Sequence, residues 1–258
     1  MSHDTQTTRG NSSDSPLRHH PHTHTAIDGN INTIDQPGFH AGSQHYQDIA
    51  LTPGKQKLDI DAYLNGKIST EDNITHYRGP DVDENAAPVP DGDFNAAQDA
   101  EMYYVSIDPR GELAWESNSF GYGGVPAHVI EVLTEAAGNA YKDFLRRQGM
   151  SYIIAGSEQI DYGVMLHKLV GFGIERLMVG GGGTINWSFV QQELVDEVSM
   201  ILAPVANGDP EAPRFFTAKE PYSSIRDTQF ELTHVENLGQ GVVWLRYIPD
   251  TKDGMGGS

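Results

Sequence analysis

The chain has 258 residues, with 36 Asp or Glu against 17 Lys or Arg and a formal net charge of −19. That balance excludes a general binder of nucleic acid or of anionic membranes, since polyanions demand clustered cations. It leaves room for a phosphate held locally by backbone N–H groups and one or two placed side chains. Cysteine is absent, which removes disulfides, thiolate metal sites and cysteine nucleophiles. No run approaches the ~20 apolar residues of a membrane span and no apolar signal core opens the chain, so a cytoplasmic protein is expected.

Residues 1–18, dominated by Ser, Thr, Asp and His, are expected to form a disordered polar tail, with one domain over 19–250 and a flexible tail over 251–258. His19, His20, His22 and His24 suggest a metal cluster, but no carboxylate is spaced to complete it, so no metal is expected. Residues 59–68 are read as beginning in a helix that ends near Gly66. Residues 79–99, rich in Pro, Asp and Ala, form a connection long enough to be a lid or an insertion.

Beyond this, short β-rich runs alternate with stretches of helical period, the pattern of a parallel-containing α/β sheet. Strands are expected at 103–107, 128–133, 151–156, 174–179 and 197–205, and helices at 136–147, 162–170 and 184–194. Two final β-rich runs, 229–235 and 242–248, flank Leu238-Gly239-Gln240-Gly241 and read as a closing antiparallel hairpin.

The strongest chemical signal is a strand running into Gly180-Gly181-Gly182-Gly183-Thr184 and then a helix. Glycines let the backbone approach a ligand, and the free N–H groups of a helix start attract an anion, so a dinucleotide pyrophosphate suits this turn; a ligand-free flexible turn is the alternative. Neither G-x-G-x-x-G nor a phosphate-loop motif occurs. Asp196 and Glu197 face opposite sides of a strand start and read as structural, while Tyr141, Trp187 and Phe189 read as core or interface aromatics.

The blocks Val179 to Phe189, Leu194-Val195-Asp196-Glu197 and Ala203-Pro204-Val205 closely resemble the C-terminal reductase domain of bacterial riboflavin-biosynthesis proteins and its stand-alone relatives. The resemblance extends to Asp61-Ala62-Tyr63-Leu64-Asn65-Gly66-Lys67 and Ile27-Asp28-Gly29, covering most of the chain after about His22. It implies a dihydrofolate-reductase-like α/β fold: three αβα layers, a mostly parallel central sheet and the antiparallel hairpin at the end.

It further implies NADPH as cofactor, with Gly180, Gly181, Gly182, Gly183 and Thr184 on the pyrophosphate and Gly66, Lys67, Ser69 and Thr70 as a second cofactor segment. Lys67 and Arg110 are the candidate cations for the 2′-phosphate, against a reading of each as a solvated surface charge. His24 and Thr25 border the substrate, with the side carrying His22 and His24 toward the ligand. Arg78 would hold a ribose phosphate, Asp72 would act near the reacting carbon, and Asp28 would either position the substrate or cap its turn.

Two departures from the family pattern weaken the substrate assignment: Asn30 stands where a lysine is frequent and Val179 where an acid is frequent. The expected activity is therefore an NADPH-dependent reductase of a pyrimidine- or pterin-like substrate, similar to 5-amino-6-(5-phosphoribosylamino)uracil reductase, whose deaminase partner would be a separate protein. A reductase of another small carbonyl or nitro compound, or a non-catalytic NADPH-binding protein, are the alternatives. The partners expected are a small-molecule substrate and a second copy of the chain, with no nucleic acid and no membrane.

Overall fold

A computed structural model describes residues 17–97, 100–122 and 124–250. The expected tails lie outside the described residues, except that Leu17 is buried and Arg18 opens the first strand. The fold thus starts earlier than the polar composition suggests.

Strand β1 (Arg18–Ala26) is followed by helix α1 (Pro37–Ala50), strand β2 (Ala62–Gly66) and a short helix α2 (Lys67–Thr70) that runs on as a π-helical turn over Glu71–Thr75. Next come β3 (Tyr103–Ile107), β4 (Ser119–Tyr122), β5 (Val125–Leu133), α3 (Asn139–Arg147), β6 (Ser151–Ile154) and α4 (Tyr162–Val170). The chain closes with β7 (Arg176–Gly181), α5 (Gly183–Gln191), β8 (Val198–Ala203), β9 (Phe230–Gly239) and β10 (Val242–Pro249).

The described strands form one sheet in the order β4-β5-β3-β2-β7-β1-β8-β10-β9, with β6 also on β5. β1, β2, β3, β5, β6, β7 and β8 pair in parallel, while β4 and the β9–β10 hairpin are antiparallel. All the parallel strands therefore end on one edge, the edge where open α/β sheets bind ligands.

Both faces of the sheet are covered, which is why its inner strands are apolar without alternation. Tyr63, Tyr104, Val129 and Met178 pack with Tyr46 and Ile49 of α1 and Phe144 of α3. Their neighbours Leu64, Val105, Ile130 and Val179 pack with Met165 and Leu169 of α4 and Phe189 of α5. The period of two thus divides one continuous apolar run between two cores.

The region before β3 departs from the sequence reading at one point and adds to it at two others. Residues 62–66 are a strand, not helix: Ala62, Tyr63 and Leu64 are buried between β3 and β7, and this two-sided pairing overrides local preference. α1 was not visible in the sequence. Residues 79–97 lack helix and strand, but the segment is pinned, since Phe94 bridges to Tyr152 and lies under the Arg146 guanidinium, 4.3 Å from its ring centre.

Pro21 marks where β1 changes partner. Residues up to Pro21 pair with β7 and those from His22 onward with β8, so its missing N–H falls at the change of ladder.

Candidate active site at the glycine loop

The end of β7 and the start of α5 divide the glycine work between fold and open space. A Cβ on Gly180 would lie 2.8 Å from Asn65 Oδ1, and one on Gly183 would lie 2.0 Å from the Arg214 carbonyl oxygen, so close packing excludes a side chain at both. Gly181 has φ +122°, a conformation that favours glycine. Gly182 is different, for nothing lies within 4 Å of where its Cβ would stand. The Gly181–Gly182 peptide is cis.

Gly182 caps α5, and its carbonyl accepts from the N–H groups of Ile185 and Asn186 at 3.0 and 3.1 Å. The N–H groups of Gly182, Gly183 and Thr184 make no hydrogen bond among the described residues. Free donors at the N-terminus of a nine-residue helix, beside a glycine with clear space above it, form a cradle for an anionic group. The donor set thus fits a dinucleotide pyrophosphate.

Three neighbours frame the loop. On one side Thr23 donates its hydroxyl to the Gly180 carbonyl at 3.1 Å. On the other, Asn65 approaches Gly180, and Gly66 is so close to α5 that a Cβ there would lie 2.6 Å from Ile185 Cδ1. Over the top runs a strap, residues 213–217, tied by Thr217 N–H to the Gly183 carbonyl at 3.1 Å and by the Asn186 amide to the Phe215 carbonyl, also 3.1 Å. Sequence reasoning missed Thr23, Asn65 and the strap.

The β1 side toward the loop also requires correction, because Thr23 and not the histidines faces it. His22 and His24 point to α1, where His22 stacks on Tyr46 with ring centres 4.8 Å apart and His24 bonds Ser43 at 3.1 Å. The His22 Nε2–H donates to the Tyr46 carbonyl, and Nδ1 accepts from the Ser199 hydroxyl at 2.7 Å, whose oxygen takes the Trp244 indole N–H. Burial pushes the His22 pKa down to about 3 and that of His24 to about 4, so both are neutral, packed residues. No group of three or more metal-ligating side chains occurs among the described residues.

Thr25 is likewise buried in the turn, its hydroxyl donating to the Ala26 and Asn30 carbonyls. Asp28 is a clamp: its carboxylate accepts the N–H groups of Gly208 at 2.9 Å, Asn207 at 3.1 Å and Asn30 at 3.3 Å, which holds its pKa below the usual carboxylate range. Asn30 is buried and joins the same clamp through Asn207 Oδ1. Of the two roles open to Asp28, the turn role is the one its contacts fill.

The second cofactor segment is divided as well. Thr70 is buried and its hydroxyl bonds Tyr104 at 2.7 Å and Ser106 at 2.9 Å, which removes it from any ligand. Ser69 is half-buried, and its carbonyl takes the Asn73 amide. Lys67 is paired with Glu112 and lies 3.8 Å from Glu71. Burial works against its charge, but Glu112, Asp108 and Glu71 outweigh it and raise the pKa above the lysine norm. Arg110 is exposed and carries no ion pair among the described residues.

Farther out, Asp72 is exposed on the π-helical turn and accepts from the Tyr77 hydroxyl. Arg78 is paired with Glu116, beside a surface depression lined by Gly79, Trp115 and Glu116 that no loop glycine enters. Of the three cations foreseen for phosphate, Lys67 and Arg78 already face carboxylates, while Arg110 carries no ion pair among the described residues.

Comparison with known proteins fits this geometry. Residues 123–244 match the RibD C-terminal domain family. The match takes in β7, the glycine loop and α5. The chain is 37% identical over 87 residues to a 2,5-diamino-6-ribosylamino-4(3H)-pyrimidinone 5′-phosphate reductase of Aquifex aeolicus, covering 34% of this chain and 39% of that protein. It is 35% identical over 98 residues to the protein of the same description from Methanothermobacter thermautotrophicus, covering 38% and 45%. The aligned stretches therefore span less than half of either relative.

Among solved structures, a pyrimidine reductase-like protein of Corynebacterium diphtheriae superimposes with a TM-score of 0.60 at 14% identity, covering 90% of this chain and 92% of that one. RibD of Acinetobacter baumannii gives 0.55 at 17% identity, covering 91% and 58%. The chain has the dihydrofolate-reductase-like α/β fold.

Proposed function

We propose that this chain is a reductase that draws on a reduced nicotinamide dinucleotide to reduce a ribosylaminopyrimidine phosphate, the compound class named for its relatives. The observation that carries the reading is the glycine loop inside the family match, with Gly182 open and three N–H groups free at the start of α5. Gly180 to Gly183 would hold the dinucleotide, and the chemistry it would supply when bound is a hydride to the acceptor carbon, balanced by a proton to the attached oxygen or nitrogen.

The chain's own residues bind and orient. Thr23 fixes the carbonyl of Gly180, Asn65 and Gly66 set the floor beside it, and the 213–217 strap excludes water from one side. The family resemblance points to Asp72 on the π-helical turn, which accepts from the Tyr77 hydroxyl, as the acidic residue near the reacting carbon. The family resemblance points to NADPH, through Lys67 and Arg110.

A second reading, reduction of a small carbonyl compound without phosphate, is favoured by the pairing of Arg78 with Glu116. The nicotinamide absorbance, followed with the ribosylaminopyrimidine phosphate and with simple carbonyl compounds, separates the two. Oxidation with the pyrimidine substrate supports the first reading, and oxidation only with unphosphorylated carbonyls supports the second.

For assembly we propose a homodimer through the open edge of β9, where Leu232 and Val235 are 48% and 58% exposed. A ten-residue edge strand carrying exposed apolar side chains invites pairing with its own copy.

A further inference from the structure

A dinucleotide anchored by its pyrophosphate on the glycine loop extends along the strand ends to either side. The neighbour on the β2 side is the Gly66–Lys67 turn, which touches α5 through Ile185. The charge presented at this turn is not that of Lys67 alone. Glu112 and Glu71 both face the ammonium, so the three groups together carry one net negative charge.

Glu112 is held in place by the backbone beneath it. Asp108, which is fully buried at the end of β3, accepts the N–H groups of Glu112 at 2.5 Å and Leu113 at 2.9 Å through one carboxylate oxygen. Gly111 has φ +72°, and a Cβ there would lie 2.2 Å from the Tyr141 ring. Tyr141 in turn donates to Glu131 at 2.8 Å, and Trp115 donates to the other Glu131 oxygen at 2.9 Å. The turn that presents Glu112 is thus bolted to a buried network, unlike a pair of long side chains meeting at a free surface.

We infer that Glu112, presented to Lys67 by this rigid turn, sets the dinucleotide preference against a 2′-phosphate and toward an unphosphorylated ribose. A carboxylate accepts hydrogen bonds from ribose hydroxyls, whereas a 2′-phosphate brought to Lys67 must displace Glu112 and then meet the charge of both Glu112 and Glu71. Lys67 alone signals NADPH. Lys67 with its carboxylates signals NADH. The inference rests on the proposed function, because it presumes that a dinucleotide lies along this edge.

The test is isothermal titration of the full chain with ADP-ribose and with 2′-phospho-ADP-ribose, neither of which requires turnover. Wild type is expected to bind ADP-ribose at least as tightly as its 2′-phosphate. Glu112→Gln, at a half-exposed side chain whose shape is kept, shifts the ratio toward the phosphorylated probe by roughly tenfold or more. A wild-type preference for the phosphorylated probe, as would follow if exposed Arg110 held the phosphate, overturns the inference. So does a ratio that Glu112→Gln leaves unchanged. Binding of neither probe overturns the proposed function itself, and the inference with it.

Discussion

Two adjacent glycines separate folding from binding at the loop. Alanine at Gly183 drives a methyl group to 2.0 Å from the Arg214 carbonyl oxygen and 2.9 Å from Thr217 Oγ1, well inside van der Waals contact. The strap must move by more than an ångström, which strains the Thr217–Gly183 and Asn186–Phe215 hydrogen bonds that tie it down. Overpacking of this kind costs ~1–3 kcal/mol, and each hydrogen bond weakened adds a fraction of ~1 kcal/mol. For a domain of this size, 1 kcal/mol corresponds to ~2–4 °C in Tm, so Gly183→Ala should lower Tm by roughly 2–12 °C. Alanine at Gly182 meets nothing within 4 Å, and its φ of −71° and ψ of −176° suit any residue. Gly182→Ala should keep the wild-type Tm within ~2 °C while weakening ADP-ribose binding, because the methyl occupies the approach to the free N–H groups. Differential scanning calorimetry and titration on both variants check this. Unchanged affinity in a folded Gly182→Ala, or an unchanged Tm in Gly183→Ala, would refute the division of roles.

The buried histidines make stability depend on pH near neutrality. Their folded pKa values, about 3 for His22 and about 4 for His24, lie below the unfolded value of 6.5, so the unfolded chain binds more protons between them. The stability of the neutral rings is full above that value and is lost as pH falls toward 4 and then 3. Each ring contributes a slope of ~1.4 kcal/mol per pH unit, and a Tm that stays flat from pH 7 to pH 5 would contradict it. Glu131, whose pKa burial and Asp108 push well above the carboxylate norm, keeps its proton; Glu131→Gln should therefore cost under ~1 kcal/mol while Glu131→Ala costs ~2–4 kcal/mol by chemical denaturation. Equal losses would show that the acid is ionised. Val235→Lys, on the exposed edge strand, should convert the proposed dimer to monomer in light scattering, and an unaltered mass would place the interface elsewhere.

What the sequence disclosed follows the physics of each element. α4 reads at its true limits because Asp161 caps it, accepting from Val164 N–H at 2.9 Å, and its apolar residues keep helical spacing. α1 escaped notice because part of its buried face carries no hydrophobic signal. Gly42 lies on that face with Phe39, Tyr46 and Ile49, and serves by letting the helix approach β8, where a Cβ would lie 2.9 Å from Ala203 Cβ. β2 was hidden because its conformation is imposed by two flanking strands distant in sequence.

The glycine loop was legible since strand, glycines and helix are contiguous and their chemistry is local. The cations were legible too, but not their state. Glu112 lies 45 residues from Lys67 and Glu116 lies 38 from Arg78, so only the folded chain shows that both are already paired. Similarly, alternation along β1 separates His22 and His24 from Thr23 but does not say which side meets the loop.

The proposed reductase would hold its dinucleotide on the Gly180–Gly183 turn. Its most direct test is nicotinamide absorbance in a mixture of the protein, reduced dinucleotide and the ribosylaminopyrimidine phosphate, run beside Gly182→Val. Steady oxidation by wild type that the folded variant loses is the predicted result. Oxidation that survives Gly182→Val undiminished, or no oxidation by wild type with any acceptor, would contradict it.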